Sequence, residues 1–503
     1  MPPAPRPLTA ATLGDLPAAV SVPGYDRSAL VPAVVHIGVG GFHRAHQAVY
    51  LDDLARSGES GWGLVGVGLL RPQMGEVLAA QDGLYLVVER SAEVDRARVV
   101  GSMTRYVFAP ADPEALLAVL ADRRTRLVTL TITSSGYRLD PHTGEFDAED
   151  ELVVSDLDDP SHPETVFGYL VEALDRRMRS GAGPFTVLSC DNMRSNGAAA
   201  RTAVTSFARL RDPDLADWIE ERVSFPSSMV DRITPSTTAA ERDAIAAATG
   251  VDDRWPVITE PFSEWVVEDD FCSGRPPLER VGVRFVPDVA PYEVVKTRLL
   301  NAGHVALGHL GRLAGMRTVD EVVADDVFRA YLVALMGREI APSLPPVPGV
   351  DLVAYQRTLV DRLANPRMGD QLARLCRRSA SKIPLHVLPS VQAGLDAGRP
   401  VRLLALAVAA WLHHLRVGDH GGHGGHGGHG SASEGPVVAR LTTLAQAGDG
   451  DVRPLLAERR VFGDLGLDPR FVGAVQEALE LLERCGPREA IRHHLTHDGE
   501  EAA

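Results

Sequence analysis

The chain has 503 residues, of which 45% are hydrophobic and 23% charged, a size and composition typical of a globular protein with more than one sizeable domain. Its formal net charge of -16 argues against nucleic acid or an anionic membrane as the main partner, because both bind basic faces. The four cysteines are far apart and form no C-x-x-C pair, which argues against a disulfide framework and a structural zinc site.

The N-terminal segment carries prolines where a signal peptide needs an uninterrupted apolar core. The longest apolar run, near Leu403 to Leu412, is too short to span a bilayer. We therefore expect a cytoplasmic protein.

A dinucleotide-binding unit is predicted near the start of the chain. The apolar run Val34 to Val39 predicts a buried strand, which leads into a glycine turn and an amphipathic stretch, the order found where a pyrophosphate rests on a helix N-terminus. The third glycine of the usual fingerprint is absent, since His43 takes its place. Arg44 either contacts a phosphate or is a solvated arginine of the first helical turn. The candidate cofactor-binding residues are Gly38, Gly40, Gly41, Phe42 and Arg44.

The choice of cofactor is left open by the second predicted strand, Gly63 to Gly68. An acid that binds the ribose hydroxyls of NAD is expected to follow it. The chain instead continues Leu69-Leu70-Arg71. NADP is therefore not excluded, and Arg71 could accept a 2′-phosphate.

The remaining elements predict an α/β domain over residues 1–288 and a mostly helical domain over residues 289–503, separated by a proline-containing turn. In the first domain we predict strands at Leu84–Glu89, Val99–Val107, Leu127–Thr133 and Phe185–Ser189, and helices at Pro113–Leu120 and Pro163–Met178. In the second we predict helices at Val319–Ile340, Leu352–Leu363, Met368–Arg378, Val401–Leu415 and Phe471–Arg484.

A helix that begins near Pro291 brings together the chemistry-bearing residues of the second domain. At 3.6 residues per turn, His304 lies roughly 80° and Asn301 roughly 140° around the axis from Lys296, and the neighbouring leucines form an apolar stripe. Desolvation disfavours a charged lysine, so such a residue can act as a general base. A lone lysine in an apolar run more often extends to the surface. Because Asn301 and His304 lie on the same flank of the helix as Lys296, we favour the general base. Glu293, one turn upstream, could relay the proton or form a surface pair.

The segment KTRLLNAGH, residues 296–304, resembles the Lys-x-x-x-x-Asn-x-x-His signature of the polyol-specific long-chain dehydrogenases, the family of mannitol 2-dehydrogenase and of the fructuronate, tagaturonate and mannitol-1-phosphate enzymes. The glycine turn GVGGFHRAH is similar to the family's own variant. The resemblance runs from about Val31 to about Pro389. It implies a Rossmann-like N-terminal domain and a mostly α-helical C-terminal domain like that of 6-phosphogluconate dehydrogenase. It also implies a monomer that uses NAD.

The same resemblance adds four site residues. Asn192 follows a predicted strand and stands in a motif similar to the family's S-C-D-N, which implies a donor to the substrate oxygen; an Asx turn before the next helix is the alternative. Asp231, in a motif similar to M-V-D-R-I-T-P, is implied to accept a sugar hydroxyl, although an Asp-Arg pair alone is usually a salt bridge. Arg374 and Lys382 resemble the family's substrate-binding basic pair.

The implied function is the metal-independent interconversion of a polyol and a ketose, with D-mannitol and D-fructose the preferred pair. Lys296 would take the hydroxyl proton, Asn192 and Asn301 would hold the oxygen as charge develops, and His304 would orient it. The nearest alternative is a hexuronate reductase of the same family that acts on fructuronate or tagaturonate. An alternative of another class is a non-catalytic nucleotide- or metal-binding protein.

The His-Gly repeat from His420 to Gly430 cannot bury a core and predicts a flexible loop over residues 418–434. Imidazoles at this density could also chelate Zn²⁺ or Ni²⁺.

Overall fold

The computed structural model describes residues 4–140, 143–418 and 435–497. It separates into two compact units, residues 1–290 and 291–503. The His-Gly repeat lies outside the described residues. Among the described residues, no helix combines the length and the apolar character that a membrane crossing requires.

The β-strands of the described residues lie in the first unit. They are β1 (Arg6–Pro7), β2 (Val20–Ser21), β3 (Pro32–Ile37), β4 (Gly63–Gly68), β5 (Tyr85–Arg90), β6 (Asp95–Val100), β7 (Met103–Phe108), β8 (Leu127–Leu130), β9 (Thr186–Ser189), β10 (Ser228–Asp231), β11 (Val251–Asp252), β12 (Val257–Thr259), β13 (Glu264–Glu268) and β14 (Arg284–Val286).

The α-helices of this unit connect those strands. They are α1 (Gly41–Ala45), α2 (Gln47–Arg56), α3 (Gln73–Ala80), α4 (Pro113–Ala121), α5 (Glu151–Asp158), α6 (Val166–Ser180), α7 (Asn196–Arg211), α8 (Pro213–Arg222) and α9 (Ala239–Thr249). Short 3-10 turns occur at Ala10–Asp15, Arg27–Ala29, Ala109–Ala111, Ser134–Tyr137 and Leu278–Val281.

A parallel sheet organises the first unit. Within the described residues it has five strands in the order β7-β4-β3-β8-β9, and each neighbouring pair is parallel. Strand β3 is central, and the chain first moves outward through β4 to β7 and then returns to β8 on the other side. This reversal of direction beside β3 is the point at which α/β sheets bind ligands, beyond the carboxyl ends of the strands.

Both faces of this sheet are buried, as expected of parallel strands covered by helices. Val35 and Ile37 face a core shared with helices α4, α6, α7 and α8. Val34, which precedes Val35 and points to the opposite face in the side-chain alternation, faces a second core that includes residues of α2. The apolar runs of the sequence therefore correspond to strands that are covered on both sides.

In the described part of the unit, three smaller sheets accompany the parallel sheet, with strand orders β12-β5-β6-β2, β10-β13-β14 and β1-β11. Buried Arg232 ties the segment after β10 to its surroundings: it pairs with Glu89 at 2.6 Å and donates to the carbonyl oxygens of Ala45 and Glu260. A buried guanidinium needs such partners, because an unpaired buried charge is strongly destabilising.

The second unit is helical in its described part. Its α-helices are α10 (Ala290–Lys296, beginning at the last residue of the first unit), α11 (Ala302–Leu313), α12 (Val319–Ala324), α13 (Asp326–Ala334), α14 (Leu352–Leu363), α15 (Leu372–Cys376), α16 (Ser379–Lys382), α17 (Leu388–Asp396), α18 (Arg402–Val417), α19 (Pro436–Ala447), α20 (Arg453–Leu456), α21 (Arg459–Phe462) and α22 (Pro469–His497, interrupted at Gly486). Short 3-10 turns lie at Ala341–Ser343 and Leu465–Leu467, and π-helical turns at Thr297–Asn301, Leu335–Ile340 and Ile383–Val387.

Helix α18 forms the centre of this unit and packs against α11, α19 and α22. Its residues Leu403 to Leu412, the longest apolar run of the sequence, are all buried, so that the run is a core helix. Buried Glu339 accepts hydrogen bonds from the amides of Leu403 and Leu404, each at 2.8 Å. A carboxylate at a helix N-terminus accepts hydrogen bonds from amides that have no partner within the helix, and it interacts favourably with the helix dipole.

Candidate active site

The glycine turn after β3 has one position at which glycine is required by the protein itself. Gly38 has a φ of +101°, which side chains rarely tolerate. A Cβ atom there would lie 2.1 Å from the carbonyl oxygen of Thr131. Gly38 therefore allows the turn to pass close to the segment that follows β8.

The next two glycines, Gly40 and Gly41, lack these constraints. Gly40 has extended backbone angles, and a Cβ at Gly40 or Gly41 would meet no other atom closer than 3.8 Å. Neither position is forced to be glycine by its conformation or by its neighbours. Open backbone at the first turn of a helix, at the carboxyl end of the central strand, fits the close approach of a pyrophosphate.

A chain of hydrogen bonds from side chains of β3 and β8 and of the segment after β8 holds the glycine turn in place. The hydroxyl of Thr131 donates to the carbonyl oxygen of Gly38 at 2.8 Å, so its oxygen accepts from Nε2 of buried His36 at 2.8 Å. Nδ1 of His36 then accepts from Thr129 at 2.7 Å. This order of donors requires a neutral imidazole, and burial lowers the pKa of His36 to about 3.

The missing third glycine is explained by ring packing. His43, which replaces it, stacks on His36 with ring centroids 3.3 Å apart and an interplanar angle of 10°. A flat ring thus makes the close contact between helix and strand that a glycine usually allows. Phe42 is partly buried against the same core and stacks on His46 at 5.0 Å.

Arg44 corrects a sequence-based expectation. Its side chain is buried, donates to the carbonyl oxygen of Trp255 and lies over the ring of Tyr85. The alternative of a solvated arginine is therefore wrong. The other alternative, a contact between Arg44 and a phosphate, stays a prediction.

The buried histidines predict sensitivity to acid. Burial lowers the pKa values of His36 and His46 to about 3 and that of His43 well below its usual value. Below about pH 6.5 the unfolded chain binds protons at these positions while the folded chain does not, so the free energy of unfolding falls as the pH drops toward 3. Each histidine contributes up to about 1.4 kcal/mol per pH unit, measurable by urea unfolding.

One variant separates this effect from general acid denaturation. His43→Leu should give a shallower dependence of the free energy of unfolding on pH than the wild type. Equal slopes for the two proteins would contradict the assignment.

The segment after β8 is held in a strained conformation by the end of β9. Thr133 has a φ of +64°, which is rare for a β-branched residue and costs roughly 1–3 kcal/mol. The carboxylate of Asp191 accepts the amides of Ile132 and Thr133 at 3.0 and 2.8 Å, and the hydroxyl of Tyr137 at 2.8 Å. Strain held in this way, at the carboxyl end of a sheet, is typical of a binding site.

The two predicted polar residues of the first unit lie at the ends of β9 and β10, which are consecutive in the chain and belong to different sheets. Asn192 is exposed directly after Asp191, and Asp231 is the buried last residue of β10. Asn196, which the sequence analysis missed, joins their segments by donating to the carbonyl oxygens of Asp191 and Ser228 at 2.9 and 2.8 Å. Only the tertiary structure identifies this link, since 32 residues separate Asn196 from Ser228.

In the second unit, Lys296 is buried with 5% of its surface exposed. It is the last residue of α10 and directly precedes the π-helical turn Thr297–Asn301. Asn301 ends that turn, and partly buried His304 lies in the first turn of α11. Glu293 is partly buried one turn before Lys296. Leu299, Leu300, Leu307 and Leu310 are all buried, which makes the surroundings apolar.

The π-helical turn changes the geometry that a straight helix predicts. Its i→i+5 bonding takes up about one extra residue, equivalent to roughly 100° less rotation along the rest of the helix. The offset of His304 from Lys296 thereby falls from roughly 80° to roughly 20°, and that of Asn301 from roughly 140° to roughly 40°. The straight-helix prediction was wrong, and the turn brings the three polar residues closer to one face.

The predicted basic pair lies in the same unit. Arg374 is exposed on α15 and pairs with Asp370 through two hydrogen bonds, one of them 2.8 Å long. Lys382, the last residue of α16, donates to the carbonyl oxygen of Leu375 at 2.7 Å. Both cations are thus held in position by the chain before any substrate binds.

His386 is a residue of this region that the sequence analysis did not identify. Lys296, Lys382 and His304 all contribute to the lowering of its pKa to about 3, after the larger effect of burial. His386 therefore lies close to three of the predicted site residues. No spacing in the sequence indicates this, because it depends on contact between residues about 90 positions apart.

Within residues 4–140, 143–418 and 435–497, no group of three or more His, Cys, Asp or Glu side chains is arranged to hold a metal ion. The imidazoles of the His-Gly repeat fall outside these ranges.

A parallel sheet with an open glycine turn, and a helical unit that carries a buried lysine beside polar residues, define a two-domain dehydrogenase of the Rossmann class. The family profile "Mannitol dehydrogenase Rossmann domain" matches residues 32–280, and "Mannitol dehydrogenase C-terminal domain" matches residues 288–483. The chain belongs to the mannitol dehydrogenase family. The predicted family and fold class are thus confirmed.

Similar proteins include a mannitol 2-dehydrogenase from Emericella nidulans, 44% identical over 93% of this chain and 94% of the relative, and one from Aspergillus fumigatus, 43% identical over 98% of this chain and 100% of the relative. Two solved structures have TM-scores of 0.87. One is a ternary complex of Pseudomonas fluorescens mannitol 2-dehydrogenase with NAD and D-mannitol, 40% identical, covering 97% of this chain and 99% of that one. The other is a D-sorbitol dehydrogenase in substrate-free form, 38% identical, covering 96% and 100%.

Proposed function

We propose that this chain is an NAD-dependent dehydrogenase that interconverts a polyol and a ketose, with D-mannitol and D-fructose the preferred pair. The observation that carries the proposal is a buried lysine directly before a π-helical turn that also holds Asn301, with His304 just beyond it. The relatives named mannitol 2-dehydrogenase, which cover more than nine-tenths of the chain, support the same conclusion.

Lys296 acts as the general base in this proposal. It removes the proton from the hydroxyl of the carbon that is oxidised and returns it during ketose reduction. The apolar surroundings of Lys296 disfavour its charged form, which eases the loss of the ammonium proton that must precede acceptance of the hydroxyl proton. The bound cofactor supplies the hydride acceptor, which no side chain of the protein can provide.

The amide groups of Asn192 and Asn301 donate to the substrate oxygen as negative charge develops, and His304 orients the same oxygen. Donors fixed in advance stabilise such a charge without reorganisation during the reaction. Glu293, one turn before Lys296, passes the proton on to solvent.

Asp231, Arg374 and Lys382 bind the remaining hydroxyls of the open-chain sugar. An acceptor and two donors of this kind match vicinal hydroxyls, each of which both donates and accepts. The hydrogen bonds from Arg374 to Asp370 and from Lys382 to Leu375 support this role, because preorganised side chains lose less entropy on binding.

The cofactor lies across the carboxyl end of β3 in this proposal, with Gly38, Gly40, Gly41 and Phe42 as its contacts. Residues 1–288 thus form the dinucleotide-binding domain, and residues 289–503 the substrate and catalytic domain. On the resemblance to its family we further propose a cytoplasmic monomer.

Cofactor preference can be tested at Arg71. This residue is exposed after β4, and no acid occurs between Gly68 and Gly75. Arg71→Ala should raise the Kd of NADPH about tenfold, the equivalent of about 1.4 kcal/mol, while the Kd of NADH stays within about twofold. Quenching of protein fluorescence by each reduced cofactor measures both constants. Equal effects on the two cofactors would contradict a 2′-phosphate contact.

The reaction itself is tested with a substrate panel of mannitol, arabinitol, sorbitol, fructose and fructuronate, each with NAD(H) and NADP(H), followed by the absorbance of the reduced nicotinamide. We expect the highest kcat/KM for mannitol oxidation and fructose reduction with NAD(H). Sorbitol as the best polyol would change the preferred pair, and fructuronate as the best substrate would replace the proposal by a hexuronate reductase.

A further inference from the structure

Two of the π-helical turns in the second unit pack against each other. The turn Thr297–Asn301 begins directly after Lys296, and the turn Ile383–Val387 begins directly after Lys382. Such turns are uncommon and occur frequently at functional sites. The first carries proposed catalytic residues, which makes the side chains of the second candidates for the same site.

His386 is the titratable side chain of the second turn. Its Nδ1 atom is buried and has no hydrogen-bond partner within the described part of the chain. A buried polar atom without a hydrogen-bond partner is destabilising. Its place beside Lys296, Lys382 and His304 indicates a partner that comes from outside the chain.

The charges around His386 determine what it can offer. Burial first, and then Lys296, Lys382 and His304, lower its pKa to about 3, so that the imidazole is neutral at neutral pH. A neutral imidazole has one nitrogen that donates and one that accepts, whereas the ammonium of Lys382 and the guanidinium of Arg374 only donate. A sugar hydroxyl held by those cations still has its own proton to donate, and His386 supplies an acceptor for it.

We propose that His386 is a further substrate-binding residue, whose neutral imidazole accepts a hydrogen bond from a hydroxyl next to the carbon that is oxidised. This inference depends on the proposed polyol dehydrogenase function. It adds a specificity contact on the second π-helical turn, opposite the general base on the first.

The test compares fructose reduction by the wild type, His386→Asn and His386→Phe. Loss of a contact made equally in the bound substrate and in the transition state raises KM and leaves kcat nearly unchanged. We expect His386→Phe to raise the KM for fructose at least tenfold, the loss of about 1.4 kcal/mol, with kcat within about threefold. His386→Asn, which keeps a donor and an acceptor, should recover part of this loss. The Kd of NADH should stay unchanged in both.

Deoxyfructose analogues show which hydroxyl is involved. For the analogue that lacks the contacted hydroxyl, wild type and His386→Phe should have the same kcat/KM, because the contact is absent from both. Leu385→Ala, an exposed neighbour in the same turn, is the matched control and should behave as the wild type. An unchanged KM in His386→Phe, or the same fold loss with every analogue, would overturn the inference. A wild type that reduces no sugar of the panel would instead overturn the proposed function.

Discussion

Lys296→Ala should lower the turnover of mannitol oxidation near neutral pH by roughly two to four orders of magnitude, the usual contribution of a general base. The physical reason is that the removed amine is the group that accepts the hydroxyl proton. Stopped-flow or steady-state absorbance of NADH measures the loss. Folding should change little, since the position lies between two helical segments whose leucine packing is untouched.

Lys296→Met, which keeps the length of the side chain without its charge, is the control for packing and should lose as much turnover as Lys296→Ala. Small primary amines in solution should restore part of the activity of the alanine variant but none of that of the methionine variant, where the space is filled. Near-normal turnover in Lys296→Ala would discard the base assignment.

The second large effect is expected in the glycine turn, where substitution of Gly38 should lower stability and substitution of Gly40 should weaken cofactor binding. Gly38→Ala should lower the free energy of unfolding by roughly 2–6 kcal/mol, the sum of an unfavourable φ and a steric overlap with Thr131. Gly40→Ala should leave the free energy of unfolding within about 1 kcal/mol, because its added Cβ contacts nothing closer than 3.8 Å. It should instead raise the Kd of NADH at least tenfold, because the methyl group takes the space of the pyrophosphate.

Urea unfolding and fluorescence titration with NADH give both quantities for both variants. Gly58, at a positive φ with no atom near its Cβ position and far from the turn in sequence, provides a control: Gly58→Ala should affect stability by conformation alone and leave the Kd of NADH unchanged. Wild-type affinity for NADH in a folded Gly40→Ala protein would remove the glycine turn from the proposed cofactor site.

The sequence predicted best the elements whose signal is local. The strand Gly63–Gly68 and the helix Leu352–Leu363 have the same bounds in the structure as in the prediction. Both are regular runs with a local signal at a boundary. At the start of the helix, for example, the Asp351 side chain accepts hydrogen bonds from two backbone amides. No tertiary contact is needed to see where they begin.

The predicted strand Val99–Val107 was wrong because its break has a tertiary cause. The structure divides it into β6 and β7, which belong to different sheets. Between them, the amide of Gly101 donates to Asp52 and its carbonyl accepts from Arg27. Partners 49 and 74 residues away cannot be read from the local alternation of side chains.

The predicted single helix Val319–Ile340 was wrong in a similar way. It is divided by Asp325, which caps α13 by accepting the amides of Val327 and Phe328, and ends in a π-helical turn at Leu335–Ile340. The cap is a local signal that apolar periodicity obscured. The π-helical turn carries Glu339 to the start of α18, and this requires knowledge of the packed unit.

In the candidate site, too, features with a local signal could be predicted and features that depend on tertiary contacts could not. The grouping of Lys296 with Asn301 and His304 could be predicted because all three lie on one short segment. The contribution of His386 and the interior position of Arg44 could not, because the first depends on packing between two helical segments and the second on a carbonyl more than 200 residues away.

The π-helical turn after Lys296 has a consequence for any attempt to make the protein more robust. It holds one residue more than a regular helix of the same rotation needs, so that substitutions that favour regular i→i+4 bonding through all of its residues would give a more uniform and more stable helix. The same regular bonding would rotate the imidazole of His304 by roughly 100° about the helix axis, away from the amine. Helix stability and turnover therefore oppose each other at this point, and a chain under pressure only to fold would have no reason to keep the π-helical bonding.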